Sequence, residues 1–325
     1  MLLFLTMHEL DNPELLNKVL DSLRSQLNVQ DVKEVGRGNE FYIFGTELPS
    51  GSVVIKVPKD RIFSNVNDAY IDSRLLLDQE FALMRHAKAH GIFQVPEPIK
   101  DIEAAGFGAV IMSYVPSDNS KPDEFELGTL LARIHSIETP NIKLSAQEGM
   151  EIPELIAERL TGRWKELGSL EDSFPELPPK DILIDCLESA RNTKQLLHMD
   201  FRRANFRMQK GKVAALLDWS NALIGHPALE LARVAETGET GEKFLDGYAS
   251  VRPLPGVSPI IETIFRLDTA TMLALVFLSE DPDPERAPIF VRRVRKLHSK
   301  LLKEIERGHE ARTAIKVESV TLRHS

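Results

Sequence analysis

The chain is 325 residues long, 42% hydrophobic and 27% charged, a globular rather than disordered composition that suits one large domain or two ordinary ones. A formal net charge of −9 argues against nucleic acid as the main partner; a nucleoside triphosphate can still bind where lysine and magnesium neutralise it, and a cationic small molecule would be favoured. The single cysteine, Cys186, excludes a disulfide framework within the chain, fits a reducing, cytoplasmic setting, and reads as a packing residue.

The opening residues, MLLFLTMHEL, are apolar but lack a basic start, so no signal peptide is expected. Residues 11–28 follow with a helical stripe of Leu15, Leu16, Val19, Leu20, Leu23 and Leu27, and Pro13 near the start. Three short runs with strand character come next, DVKEV, EFYIFGT and SVVIKV, separated by turn residues. A long helical pattern spans about 71–90 and stops at Gly91, and two strand-like runs lie near 98–103 and 108–115. Residues 114–124, YVPSDNSKPDE, are polar with two prolines and read as a link between lobes.

Beyond that link the pattern is mostly helical. LGTLLARIHSI carries Leu127, Leu130, Leu131, Ile134 and Ile137 on one face. Further helices are expected at 152–167, 181–197, 227–236, 240–249, 258–279 and 286–307, with a short β segment at FRM and KVAALLD. The apolar stretch TATMLALVFL is too short for a membrane span. In FVRRVRKLHSK, Val291, Val294, Leu297 and Leu301 share one face, which leaves the arginines for a solvated face. Trp164, Trp219, His135 and His198 read as packing residues.

Two charges interrupt apolar patterns. Lys56 sits in the strand SVVIKVP on the same face as Val54, either solvated or pointed at an anion. Glu80 lies in the apolar stripe of LLLDQEFALMRHAKA, four residues after Leu76 and four before Met84. A carboxylate there is costly unless paired, and an inward lysine is a natural partner. Upstream, Gly36 and Gly38 in EVGRGNEFYI would let backbone amides approach a phosphate, or simply make a hairpin turn.

The stretch LLHMDFRRANFRM sets His198, Asp200 and Asn205 close together. A metal site here would lack a third ligand at a supporting spacing, a hydrolase would lack its nucleophile elbow, and Asp200 taken alone could cap a short turn. The spacing Asp200-x-x-x-x-Asn205, with Asp218 thirteen residues on at the end of an apolar strand, supplies parts that phosphoryl transfer from a magnesium nucleotide needs. One carboxylate orients the attacking hydroxyl and accepts its proton, hard oxygens of Asn205 and Asp218 hold magnesium, and a lysine braced by a glutamate reaches the phosphates.

HMDFRRANFRM, LLDWSNALIGHPALELARV, VVIKVP with the Glu80 helix, VIMSYVP and LGTLLARIHSI together resemble the aminoglycoside phosphotransferase and choline kinase-like family, over roughly residues 30–280. The resemblance implies an α+β, two-lobed, protein-kinase-like fold. A β-rich nucleotide-binding lobe would occupy residues 1–115 and a mostly helical catalytic and substrate-binding lobe residues 116–325. It implies ATP and Mg2+ as cofactors, Asp200 as catalytic base, Asn205 and Asp218 on magnesium, and Lys56 and Glu80 as the phosphate-orienting pair. Ser113 to Val115 would offer backbone hydrogen bonds to adenine beneath Met112.

The chain departs from the family at several positions. Met199 follows His198 where the family usually carries glycine. Glu230 stands in place of aspartate, and Ser220 in place of a common acidic residue. Arg202 and Arg203 are either solvated or neutralise a phosphate or an acidic substrate.

The expected activity is transfer of the ATP γ-phosphoryl to a hydroxyl of a small molecule: an aminoglycoside-like antibiotic, a sugar, an amino alcohol or a related metabolite. The alternative is a non-catalytic nucleotide-binding scaffold. Acidic residues Glu230, Glu236, Glu239, Glu242, Asp246, Glu262 and Asp268 would suit an amine-bearing acceptor if they lined a pocket, or would simply be solvated. Neither a nucleic acid nor a membrane partner is expected, and the chain is expected as a monomer or homodimer.

Overall fold

The computed structural model describes residues 8–38, 40–63, 70–147, 149–238 and 240–321. The first seven residues, on which the signal-peptide reading rests, and Glu239 lie outside the described residues. The chain divides into two compact units. Unit 1 comprises residues 1–149, 196–223 and 240–253; unit 2 comprises residues 150–195, 224–239 and 254–325.

Unit 1 begins with α1 (Pro13–Leu27). Asn12 caps it by accepting from the N–H groups of Glu14 and Leu15, and Asn28 ends it in a left-handed conformation. Next come β1 (Lys33–Arg37), β2 (Phe41–Leu48), β3 (Gly51–Pro58) and the short β4 (Ile62–Phe63) and β5 (Ile71–Asp72). Helix α2 (Ser73–Ala89) follows, capped by the Asp72 carboxylate on the Arg74 N–H. Strands β6 (Pro98–Ala104) and β7 (Phe107–Ser113) complete an antiparallel sheet of order β1-β2-β3-β7-β6. Val53, Ile55 and Val57 join Val19 and Leu23 of α1 in one core. Strand alternation therefore sends Lys56 to the opposite face of the sheet.

Helix α3 (Glu124–Ile134) is capped by Asp123. Unit 2 then supplies α4 (Ile152–Leu170) and α5 (Lys180–Leu187). The helix expected over 181–197 ends at Leu187, and Gln195–Leu197 forms strand β8. Three residues are too few to reveal a strand period, so they read as a continuation of the helix. Strands β9 (Phe206–Gln209) and β10 (Lys212–Leu216) form a hairpin whose two turn residues, Lys210 and Gly211, both have positive φ. Strand β11 (Leu223–Gly225) precedes α6 (Pro227–Thr237).

Helix α7 (Glu242–Ala249) belongs to unit 1 and packs on α3 at backbone contact. A Cβ on Gly128 would lie 1.9 Å from the Phe244 carbonyl oxygen, and one on Gly247 2.0 Å from that of Phe125. These two glycines let the helices approach closely.

Unit 2 closes with α8 (Pro259–Leu275), a π turn over Val276–Glu280, and α9 (Ala287–Thr321). Val291, Val294, Leu297 and Leu301 are buried, as their spacing predicts. The arginines of that helix are not all solvated. Arg293 donates to Glu236 at 2.6 Å, and Arg266 of α8 reaches the same carboxylate. Asp268 is buried against Arg163 at 2.7 Å. Glu236 and Asp268 are thus neutralised within the fold, and an acidic lining cannot be built from them. Among the described residues, no helix is long and apolar enough to cross a membrane.

Candidate active site

The chemistry-bearing residues of unit 1 come together from α2, β3, the segment after β8 and the segment after β10. Lys56 is buried and donates to Glu80 Oε2 at 2.7 Å and to Asp218 Oδ1 at 3.2 Å. Its ammonium also lies 4.2 Å from the centre of the Phe41 ring, a cation–π contact. The two charges that interrupt apolar patterns in the sequence therefore answer one another.

One ammonium serves two carboxylates. Burial opposes the charge on Lys56, but Asp218 and Glu80 outweigh it and hold the amine above its ordinary range. Burial also pushes Asp218 up, yet Lys56 and the Ser220 hydroxyl overcome this and hold its carboxyl at about 2. Glu80 moves the other way, because burial raises it more than Lys56 lowers it, and Asp218 adds repulsion.

Asp218 has φ of +63°, a costly backbone for a residue with a Cβ. Its Oδ1 accepts from Ser220 Oγ at 2.7 Å as well as from Lys56. Its side chain keeps 35% of its surface exposed, so it is not sealed in. Met199 has the same φ of +63°, at the position where the family resemblance expects glycine. His198 is buried; its Nδ1 accepts from the Asp200 N–H at 3.2 Å, and its Nε2 lies 3.1 Å from the Leu217 carbonyl. Its ring packs edge-on to Trp219 with centres 4.7 Å apart. His198 thus braces the segments around Asp200 and Asp218 from within.

The Asp200 carboxylate is held on both oxygens. Arg202 Nε contacts Oδ1 at 2.8 Å, and Asn205 Nδ2 donates to Oδ2 at 2.8 Å. Arg202 thus contacts Asp200 while its side chain stays 53% exposed. Arg203 is exposed. The Asn205 amide also donates to the Asp200 carbonyl, so its Oδ1 faces away from Asp200. The Asn205 carbonyl accepts from the Leu217 N–H at 2.8 Å, which ties its segment to that of Asp218.

These atoms bear on magnesium. Among the described residues there is no cluster of three or more His, Cys, Asp or Glu able to hold a metal. Magnesium on a nucleotide needs fewer protein ligands, because phosphates and water fill the remaining octahedral positions. An amide oxygen turned away from its neighbour and a carboxylate with one oxygen outside the lysine contact are hard donors of the right kind. The residues present fit the ion.

The remaining expected contacts lie on the sheet. Gly36 falls inside β1 at a register shift opposite Ile43, and the Gly38 N–H donates to the Phe41 carbonyl at 2.9 Å. A Cβ at either glycine would make only ordinary contacts with the chain itself. Ser113 spends its N–H on the Glu97 carbonyl at 2.9 Å and its hydroxyl on the Glu97 N–H at 2.8 Å. What Ser113 could offer a base is its carbonyl. Val115 follows Tyr114, whose N–H bonds Ser52 at 3.0 Å.

Two features escaped the sequence. Gln79 donates to the carbonyls of Trp219 and Ser220. The link after Val115 is tied to the β9–β10 hairpin: Asp118 accepts from the Lys210 N–H at 2.7 Å, and Ser117 Oγ from the Met208 N–H at 3.1 Å. Neither has a signal beyond ordinary polar residues in ordinary places.

A lysine–glutamate pair beside a five-stranded sheet, an Asp–Asn loop and a second aspartate after a hairpin describe the phosphoryl-transfer class on a protein-kinase-like fold. Solved structures bear out that fold. A candidate fructosamine-3-kinase from Haemophilus somnus 129PT matches with a TM-score of 0.63 at 13% identity, over 89% of this chain and 99% of that one. An aminoglycoside phosphotransferase complexed with ADP and hygromycin B matches with a TM-score of 0.59 at 15% identity, over 87% and 98%. Another, bound to streptomycin and ATP, matches with a TM-score of 0.54 at 15% identity, over 87% and 97%.

In sequence, the model of the phosphotransferase enzyme family matches residues 31–253, and the chain belongs to that family. The human acyl-CoA dehydrogenase family member 11 is 27% identical over 178 residues, which cover 48% of this chain but only 22% of that much longer protein.

Proposed function

We propose that this protein is a small-molecule kinase that moves the γ-phosphoryl of ATP to a hydroxyl, with Asp200 as catalytic base. The observation that carries the reading is the convergence on Asp218: Lys56, paired to Glu80, reaches it directly, and the Asn205 segment is bonded to Leu217 beside it. In this reading Lys56 orients the α and β phosphates and Glu80 orients Lys56. Gly36 and Gly38 lie over the phosphates. The Ser113 carbonyl and the Val115 N–H meet the adenine edge.

Asn205 and Asp218 would hold magnesium, which would neutralise the phosphate charge. Asp200 aligns the acceptor hydroxyl and takes its proton as the oxygen attacks. Arg202 and Asn205 keep the carboxylate in one orientation for that step. Residues 1–115 would then carry the phosphate and adenine contacts, and residues 116–325 the base, the metal ligands and the acceptor contacts.

The acceptor is a hydroxylated small molecule: an aminoglycoside-like antibiotic, a sugar, an amino alcohol or a related metabolite. Hygromycin B and streptomycin are bound by proteins of this fold. Glu236 and Asp268 are already paired to arginines, so an amine-bearing acceptor would not draw on those two carboxylates. The single cysteine suits a cytoplasmic enzyme.

The test is ADP release with magnesium and ATP against a panel of aminoglycosides, sugars and amino alcohols. Acceptor-dependent release supports the reading and names the class. A chain that binds no Mg-ATP refutes it.

A further inference from the structure

Helix α2 turns two consecutive buried polar side chains inward, Gln79 and Glu80. Glu80 pairs with Lys56, and its carboxylate also accepts a backbone hydrogen bond from Trp219. Gln79 makes three hydrogen bonds of its own. Its Nε2 donates to the carbonyls of Trp219 and Ser220, each at 2.9 Å, and its Oε1 accepts from the Ser145 N–H at 2.8 Å. The amide orientation is fixed from both ends, since a backbone N–H demands oxygen on one side and two carbonyls demand the NH2 on the other.

The two carbonyls belong to the residues that follow Asp218. That aspartate holds its left-handed φ only because its surroundings over-determine it. Ser220 supplies one restraint, through Oγ to Asp218 Oδ1, and Lys56 another. Gln79 closes the circuit. From Gln79 the contacts run to Ser220, to Asp218, to Lys56 and to Glu80, and the two ends are neighbours on one helix turn.

We propose that Gln79 is a positioning residue for the metal-binding carboxylate. It fixes the backbone of residues 218–220 against α2, so that Asp218 and the Lys56–Glu80 pair hold one geometry. The inference rests on the reading of Asp218 as a magnesium ligand and deepens it. Lys56 and Glu80 can pair without Gln79, but the Asp218 carboxylate that would hold magnesium then loses one restraint on its backbone.

The test compares the full chain with Gln79→Leu and Gln79→Glu. Leucine removes all three bonds at similar volume. Glutamate keeps the acceptor for Ser145 and loses the donors to the carbonyls. Amide hydrogen exchange without nucleotide is expected to quicken about tenfold across residues 217–222 in both variants and to stay unchanged in β2 and β3. The magnesium concentration for half-maximal binding of a fluorescent ATP analogue is expected to rise about tenfold, with metal-free binding of the analogue unchanged.

Unchanged exchange at 217–222, an unmoved magnesium dependence, or a glutamate variant that matches wild type would overturn the proposal. So would a loss spread evenly over the sheet and over metal-free binding, which marks a merely structural residue. Wild-type chain that binds no Mg-nucleotide removes the functional reading together with this one. Wild-type binding with unmoved variants removes this one alone.

Discussion

Lys56 and Glu80 bury opposite charges in contact, and each depends on the other for its place in the interior. Replacing Glu80 with leucine leaves the ammonium with Asp218 alone, so Glu80→Leu is expected to cost about 3 kcal/mol in urea unfolding. It should also raise the KM for ATP, because Lys56 is no longer held toward the phosphates. An unchanged unfolding midpoint and KM would contradict the account of the pair. At this scale the sequence was informative where a charge broke an apolar pattern, as with Lys56 and Glu80. It was silent where a neutral amide sat beside them, because Gln79 looks like any polar helix residue until its partners 140 and 141 positions away are known. The contact of Arg202 with Asp200 was equally hidden, since loop backbone conformation, not spacing, brings two residues so close in sequence face to face.

Among the elements, α3 and α7 meet through Gly128 and Gly247. The atoms in the way of a Cβ are backbone, which cannot swing aside as a side chain can. Gly128→Ala is therefore expected to destabilise the chain by more than about 3 kcal/mol, read as a fall in thermal midpoint; a midpoint within experimental scatter of wild type would contradict the close approach. Helices α6, α8 and α9 are joined by Glu236 and its two arginines. Burial pushes this carboxyl up, but Arg293 and Arg266 outweigh it and hold it below its ordinary value of 4.5. A carboxyl lowered on folding gives stability that is complete above the unfolded value and is lost as pH falls through the folded value. Wild type should therefore lose stability below pH 4.5 more steeply than Glu236→Gln; parallel acid limbs for the two proteins would contradict the pairing. Most element positions were legible from periodicity and caps, as α1 and α2 show. The strand Gln195–Leu197 was not, because three residues are too few to show a period.

Over the whole molecule, each compact unit is assembled from separated stretches of chain, and residues 196–223 share a unit with the sheet although about 140 positions part Lys56 from Asp200. Composition and local pattern do not encode such pairings; they became legible only through the constellation of Lys56, Glu80, Asp200, Asn205 and Asp218, whose chemistry makes sense only if they meet. All five are joined to a neighbour in the set by direct side-chain contacts, Lys56 to Glu80 and Asp218, and Asn205 to Asp200. The central claim is that this set transfers a phosphoryl group. It is tested most directly by following label from the γ-phosphate of ATP into an acceptor with wild type and with Asp200→Ala, while Mg-ATP binding is measured on both. The account predicts transfer by wild type, a fall of about 10²–10⁴-fold in the variant, and equal nucleotide binding by the two proteins. Equal transfer by Asp200→Ala would contradict it.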